Sequence, residues 1–310
     1  MKLGIDPKVD YAFKWLFGNE KNSRILIHLL HAVLNPPPEE QIVELQILNP
    51  FSEKMALDEK LSILDIKARD QLGRQFNIEM QMVPRAGIRQ RVLYYWAKLY
   101  AEQLGTGEDY SLLRPTLSVC FVDRVVFPAV EEHHLQFRLL DAKRGVTLTN
   151  DLNIHFFELP KFLRGVDDLT TPLDAWLYFL RTADELEAER LPASLNIPEI
   201  REAVEVLKML AQVDMQKEIY EGRIKARRDE ISWQKEAERE GLQQGLQQGL
   251  QQGLQQGLLR GREQGAIIGR VELLQTLLHQ TPTPRDELIA MDISELQQLE
   301  DTLTKQIARH

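Results

Sequence analysis

Asp65 and Glu79 lie in two segments, Lys60 to Ala68 and Arg74 to Val83, whose composition reads as extended chain. Side chains alternate across a strand, so Leu61, Ile63, Asp65 and Lys67 share one face, and Asn77, Glu79 and Gln81 share a face of the next. The turn falls at Asp70-Gln-Leu-Gly73, where Gly73 can supply a positive φ. A hairpin centred on Leu72 pairs residues whose numbers sum to 144, which sets Asp65 opposite Glu79 with Cβ atoms about 5 Å apart. Two carboxylates that close repel unless a cation sits between them. Mg²⁺, or another divalent cation, would take such oxygens, keep several waters and accept phosphate oxygens in its remaining positions. It would activate a bound water and offset charge on a phosphodiester, with Gln81 on the same side to orient that water or a phosphate oxygen. Two plainer readings stand beside this one. Asp65 with Lys67 can be half of a surface ion pair and Glu79 a solvent-facing strand residue, and a one-residue slip of the turn separates the two acids.

The elements that must position these residues read as follows. Helical patterns run from Pro7 to Phe17 and from Ser23 to Leu34, the second ended by Asn35-Pro-Pro-Pro38. Extended segments follow at Gln41 to Leu48 and at the two named above, and Pro84 closes the last. Ile88 to Leu104 is an amphipathic helix carrying Val92, Leu93, Trp96 and Leu99. Strand patterns return at Pro115 to Val122 and Asn153 to Leu159, with a helix expected around Leu135 to Lys143. This order predicts an α/β fold, a mixed sheet flanked by helices.

From Asp174 onward helical patterns dominate, at Ala175 to Glu189 and Ile197 to Gln212. Met215 to Glu240 is densely charged and reads as an exposed helix or coiled-coil arm. Gly241-Leu-Gln-Gln then repeats four times and decays through Gly269, placing eight glycines at a spacing of four. As a helix, each glycine costs about 1 kcal/mol relative to alanine, so the segment needs a partner; as a polar low-complexity tract, it is a linker. A period of four drifts about 40° per repeat on an α-helix, so the glycine stripe spirals around the axis. A helical cap at Val271 to Leu278 and Ser294 to Ile307 ends the chain. The expected division is residues 1–170 as the domain carrying the chemistry, 171–213 as a helical segment packed on it, and 214–310 as an all-helical extension.

Composition narrows the function classes. The 310 residues carry a net charge of −9, which argues against binding nucleic acid by bulk charge. Between Lys54 and Lys98, however, nine Lys or Arg face five Asp or Glu, a local balance of +4. Phosphate contacts need such a patch rather than a high overall isoelectric point. The single cysteine, Cys120, cannot close an internal disulfide. No signal-peptide pattern or stretch of about 18 apolar residues is visible, so a soluble cytoplasmic protein without a membrane partner is expected.

The strings Leu64-Asp65-Ile66-Lys67-Ala68, Gly73, and Asn77-Ile78-Glu79-Met80-Gln81 resemble the D…E-x-Q form of the PD-(D/E)XK nuclease superfamily. More closely they are similar to the Rpn family of recombination-promoting nucleases, also described as transposases. Asp10-Tyr-Ala-Phe-Lys-Trp-Leu-Phe-Gly18 and Arg91-Val-Leu-Tyr-Tyr-Trp96 carry the same resemblance, which spans roughly residues 5–125. It implies a restriction-endonuclease-like fold, Asp65 and Glu79 as ligands of Mg²⁺, and Gln81 where most of the superfamily has lysine. The implied activity is Mg²⁺-dependent DNA endonuclease cleavage of low sequence specificity that promotes recombination. The alternatives are a weakly active or inactive nuclease-fold module acting as an oligomeric DNA-binding or regulatory protein, and a transposase.

Other residues are weaker candidates. Asp10 can be an additional acid on the first helix, although Asp10 with Lys14 is also an ordinary i, i+4 pair. Arg85, Arg89 and Lys98 are candidate phosphate contacts, or else a solvated helix face. Gln90 and Tyr94 have a spacing that arises readily by chance, and His133-His134 reads as a loop feature. The expected partners are DNA and further copies of the chain, joined through the C-terminal helices.

Overall fold

A computed structural model describes residues 2–49, 66–82 and 87–308. Its centre is a six-stranded sheet in the order β1-β2-β3-β4-β6-β5. The strands are β1 (Leu45–Ile47), β2 (Ile66–Asp70), β3 (Gln75–Gln81), β4 (Thr116–Val122), β5 (His134–Arg138) and β6 (Leu152–Glu158). β3, β4 and β6 run parallel, while β1-β2-β3 and β5-β6 are antiparallel. The helices are α1 (Asp10–Phe17), α2 (Ser23–Leu34), α3 (Ile88–Ala101), α4 (Pro172–Thr182), α5 (Pro198–Gln212), α6 (Asp214–Leu277), α7 (Arg285–Ala290) and α8 (Ile293–Ile307). The mixed sheet flanked by helices, with a helical C-terminal region, is the architecture expected from the sequence.

Two compact units divide the chain, residues 1–232 and 233–310. In the first, the sheet has two unlike faces. One bears Ile66, Ala68, Phe76, Ile78, Val119, Phe121 and Phe157, buried with α1, α2, α4 and α5 in a single apolar core. The other bears Cys120, Val122, Ile154 and Phe156, against which α3 lays Ile88 and Val92. Helix α2 ends where Asn35 turns left-handed at φ 44°, just before the proline run.

The hairpin between β2 and β3 is set by its turn. The Asp70 carboxylate accepts from the backbone N–H groups of Leu72 and Arg74 at 3.0 and 2.8 Å. Its other oxygen takes the Arg74 Nε–H at 2.6 Å, and Gly73 stands at φ +80°. The pairs that result, Ile66 with Ile78 through Arg69 with Gln75, have the predicted sum. Asp65 itself, the Lys60 to Asp65 half of its expected strand, and Val83, Pro84 and Arg85 lie outside the described residues.

One expected element is corrected. Residues 134–138 form β5, an antiparallel edge strand beside β6, where a helix was expected from Leu135. Leu135 and Phe137, two apart, lie beside Phe156 and Ile154. That alternation prevails over the helical spacing of Leu135 and Leu139 because the neighbouring strand supplies both hydrogen bonds and apolar surface. The chain then turns at Asp141, whose carboxylate accepts from the N–H groups of Lys143 and Arg144, with Gly145 at φ +69°.

The glycine repeat is helical, lying within α6. Leu242, Leu246, Leu250 and Leu254 are exposed along it. In the second unit the end of α6 packs Ile267, Ile268 and Val271 with Leu288, Leu296 and Leu303 of α7 and α8. Helix α8 starts at a capping box in which Asp292 and Glu295 exchange side-chain and backbone hydrogen bonds.

Candidate functional site

β3 is the strand that presents chemistry. Alternation turns Phe76 and Ile78 into the large core and leaves Asn77, Glu79 and Gln81 on the face covered by α3. In register, Asn77 lies between Lys67 of β2 and Ser118 of β4, Glu79 beside Cys120, and Gln81 beside Val122. All three polar residues are buried, Glu79 to 3% of its full exposure. A solvent-facing Glu79, one of the plainer readings of the sequence, is thereby excluded.

A buried carboxylate needs a counter-charge. Helix α3 provides it in Arg91, whose Nη2 stands 3.0 Å from Glu79 Oε1. The helix starts from Gly87 at φ +78° and is anchored further along by Trp96, whose Nε1–H donates to the Thr116 carbonyl at 2.8 Å. Ile88 and Val92 fix the rotation by facing the small cluster on β4 and β6. Arg91, one position away, then reaches toward β3. Its guanidinium also lies over the ring of Tyr95, one turn later, at 5.3 Å.

The expected site residues do not all fall in this place. Glu79 and Gln81 share the face as predicted. Asp10 opens α1 and pairs with Arg223 of α6, Oδ2 to Nη1 3.7 Å, while its other oxygen accepts from the Tyr11 N–H at 2.7 Å. Burial pushes the Asp10 carboxyl up, and Arg223 pulls it back. Arg89 is exposed, with its guanidinium 5.6 Å from the Phe127 ring centre. Lys98 is half exposed and pairs with Glu102 at 3.7 Å. Asp65 and Arg85 belong to the residues not described.

His134 is the first residue of an edge strand. Its Nε2 lies 3.0 Å from Nδ1 of His155 on β6. Burial pushes the His155 imidazole down to about 4, with His134 acting in the same direction. This is a neutral pair inside the fold, and its rings belong to the face opposite Glu79. Arg91 opens one of the strings that carry the family resemblance and counts toward the local positive charge, but neither marks it as the partner of Glu79. The available signal was its place between the inward residues Ile88 and Val92 of one amphipathic helix.

Residues 7–237 match the family described as PD-(D/E)XK nuclease family transposase. The chain belongs to this family. No curated protein and no solved structure matches it significantly. For a PD-(D/E)XK nuclease family transposase, the expected cation is a divalent metal. Among the described residues no group of three or more His, Cys, Asp or Glu gathers to hold one. On this face of β3, residues 77 to 81 offer one carboxylate, Glu79, and two carboxamides, Asn77 and Gln81. That set suits Mg²⁺, which makes do with one or two carboxylates plus water and substrate phosphates. With Arg91 on Oε1, a metal would have to take Oε2 or share the carboxylate with the guanidinium.

Proposed function

We propose that this chain is a DNA-binding protein on the nuclease fold, with slow phosphodiester hydrolysis because Arg91 holds the carboxylate that a catalytic metal would need. The 3.0 Å Glu79–Arg91 ion pair carries this reading. Gln81 supports it, since a carboxamide brings no positive charge to a nucleophile or a developing phosphorane. Binding would draw on the exposed cations of the α3 side, Arg89 and Lys98, together with Arg85 from the undescribed segment. Self-association would run through α6, whose exposed leucines and open glycines offer another copy of the helix a close approach. The one cysteine, the buried Cys120, suits a reducing cytoplasm, and no helix of the described residues is long and apolar enough to cross a membrane.

A second reading has one observation in its favour. The β2-β3 register on which a carboxylate pair depends is the one found for residues 66–69. In that reading Asp65 and Glu79 would hold Mg²⁺, which would supply water activation and charge compensation for the phosphodiester, Gln81 would orient the water, and the chain would be a DNA endonuclease.

Purified full-length protein, titrated with labelled duplex DNA and then incubated with supercoiled plasmid and Mg²⁺, separates the two. Binding with slow nicking supports the first reading. Rapid Mg²⁺-dependent nicking that Asp65→Ala and Glu79→Gln both abolish establishes the second, and joining of cut ends to a new strand would establish a transposase. A protein that binds no DNA refutes all three.

A further inference from the structure

On the same face of the sheet as Glu79, the hairpin end of β2-β3 and the last turn of α3 enclose a cleft of about 550 Å³. Its wall carries three cations, Lys67, Arg69 and Arg114, against one carboxylate, Glu102, with the amides of Gln75 and Gln103 between them. Glu102 is already committed, to Lys67 at 3.6 Å and to Lys98 at 3.7 Å. Among the described residues, Arg69 and Arg114 have no ion pair. Arg69 Nη2–H donates to the Gln46 side-chain carbonyl at 2.8 Å. Arg114 Nη1–H donates to the Ser111 and Leu113 carbonyls, both at 3.4 Å.

The cleft is built rather than incidental. Gln103 grips the backbone of Arg114 from both sides, accepting its N–H at 2.9 Å and donating to its carbonyl at 3.0 Å. A third Gln103 bond, again from its Nε2–H, reaches Thr116 Oγ1 at 2.9 Å. Gly73 leaves room for the Arg114 stem, because a Cβ at that position would sit 3.2 Å from its Cγ. Two guanidiniums are thus held at a concave surface with neutral partners only, a recognition geometry for phosphate oxygens.

The position relative to Glu79 decides which phosphate. Lys67 lies opposite Asn77 and Arg69 opposite Gln75, two and four residues before Glu79 on one face of the sheet. At a strand rise of about 3.3 Å per residue that is roughly 7 to 13 Å, or about one to two phosphate spacings, because the axial rise of about 3.4 Å combines with the helical turn to set successive phosphates of one strand roughly 7 Å apart. We propose that this cleft seats the phosphate backbone of a bound DNA strand about one to two nucleotides from the position facing Glu79. The inference rests on the reading that the chain binds DNA, and it fixes the direction in which the strand leaves the site.

The test measures duplex DNA binding by fluorescence anisotropy over a KCl series. It uses the full-length protein, Arg69→Gln, Arg114→Gln, the double variant, and Lys143→Gln as an exposed control away from the cleft. Each lost phosphate contact should lower the slope of log K against log salt by about 0.9, so the double variant should lose roughly twice that. The loss should be uniform across DNA sequences, and the control should retain the parent slope. An unchanged slope in the double variant, with the parent still binding, overturns the cleft assignment alone. A parent that binds no DNA overturns the DNA reading itself. Inorganic pyrophosphate provides the remaining arm. A melting shift with pyrophosphate that disappears in the double variant, together with an unchanged DNA salt slope, would make this a small-anion site and overturn the proposal.

Discussion

Replacing Arg91 with alanine leaves the Glu79 carboxylate buried without the cation that now stands 3.0 Å away. At an effective dielectric near 20, the attraction at that distance is about 5.5 kcal/mol before desolvation is subtracted. Removing one partner of a buried pair typically costs about 3–5 kcal/mol. The Glu79 side chain is 4% exposed and that of Arg91 21%. Water can therefore fill part of the vacated space, and the lower end, about 3 kcal/mol, applies. For a folded unit of this size each kcal/mol is worth roughly 2–4 °C, so Arg91→Ala should melt about 6–12 °C below the parent in metal-free buffer. Mg²⁺ should then do what the guanidinium did. At a hundred times its dissociation constant a ligand adds about 2.7 kcal/mol, enough to restore most of the loss. The parent should respond less, because there the metal must share the carboxylate with Arg91. Glu79→Gln combined with Arg91→Ala should lose both the penalty and the Mg²⁺ response, which separates the pair from packing around Tyr95. Calorimetric melting with and without Mg²⁺ reads all three proteins. Equal Mg²⁺ shifts in the parent and Arg91→Ala, or an unchanged melting point in the variant, would show that Arg91 does not occupy the metal's place.

Two further outcomes follow from groups outside that pair. His155 titrates near 4 in the folded chain because it is buried and faces His134, against an ordinary value of 6.5 in the unfolded chain. Its folded value is depressed, so the neutral form is favoured. Its contribution is complete above about pH 6.5 and is lost as pH falls toward 4, up to roughly 3 kcal/mol. Melting temperature against pH should therefore fall less steeply over that window in His155→Phe than in the parent. In the repeat, a Cβ at Gly249 or Gly253 meets nothing within 4 Å. Alanine at both positions should raise helix content, by about 1 kcal/mol of helix stability at each. If another copy packs along the glycine spiral, the same pair of substitutions should shift gel-filtration elution toward the monomer.

Local chemistry made the β2-β3 hairpin readable. Asp70 and Gly73 are turn residues whose side-chain bonds and positive φ set the register with no help from distant parts of the chain. The shared face of Glu79 and Gln81 followed from strand parity. Arg91 was out of reach because parity assigns a face of the sheet but not the helix residue that will cover it. Asp10 shows the same limit. The sequence displays Lys14 one turn away, whereas the cation the structure places against its carboxylate is Arg223, over two hundred residues on. β5 was missed because an edge strand with exposed side chains gives little periodic signal, and its position beyond β6 depends on a connection that no local pattern encodes.

Every residue of β3 is buried except Met80, which is partly covered. One side of the strand belongs to the large core and the other to the polar row that includes Glu79. A substitution anywhere along it is therefore felt either as a packing defect or as a change at the acid, and the strand has no neutral positions through which a lineage could drift. The outward side of α3 is different. Gln90, Leu93, Tyr94 and Ala97 are exposed while Ile88 and Val92 hold the helix down. Divergence within this architecture should concentrate there, altering what the protein grips while the strand beneath stays fixed.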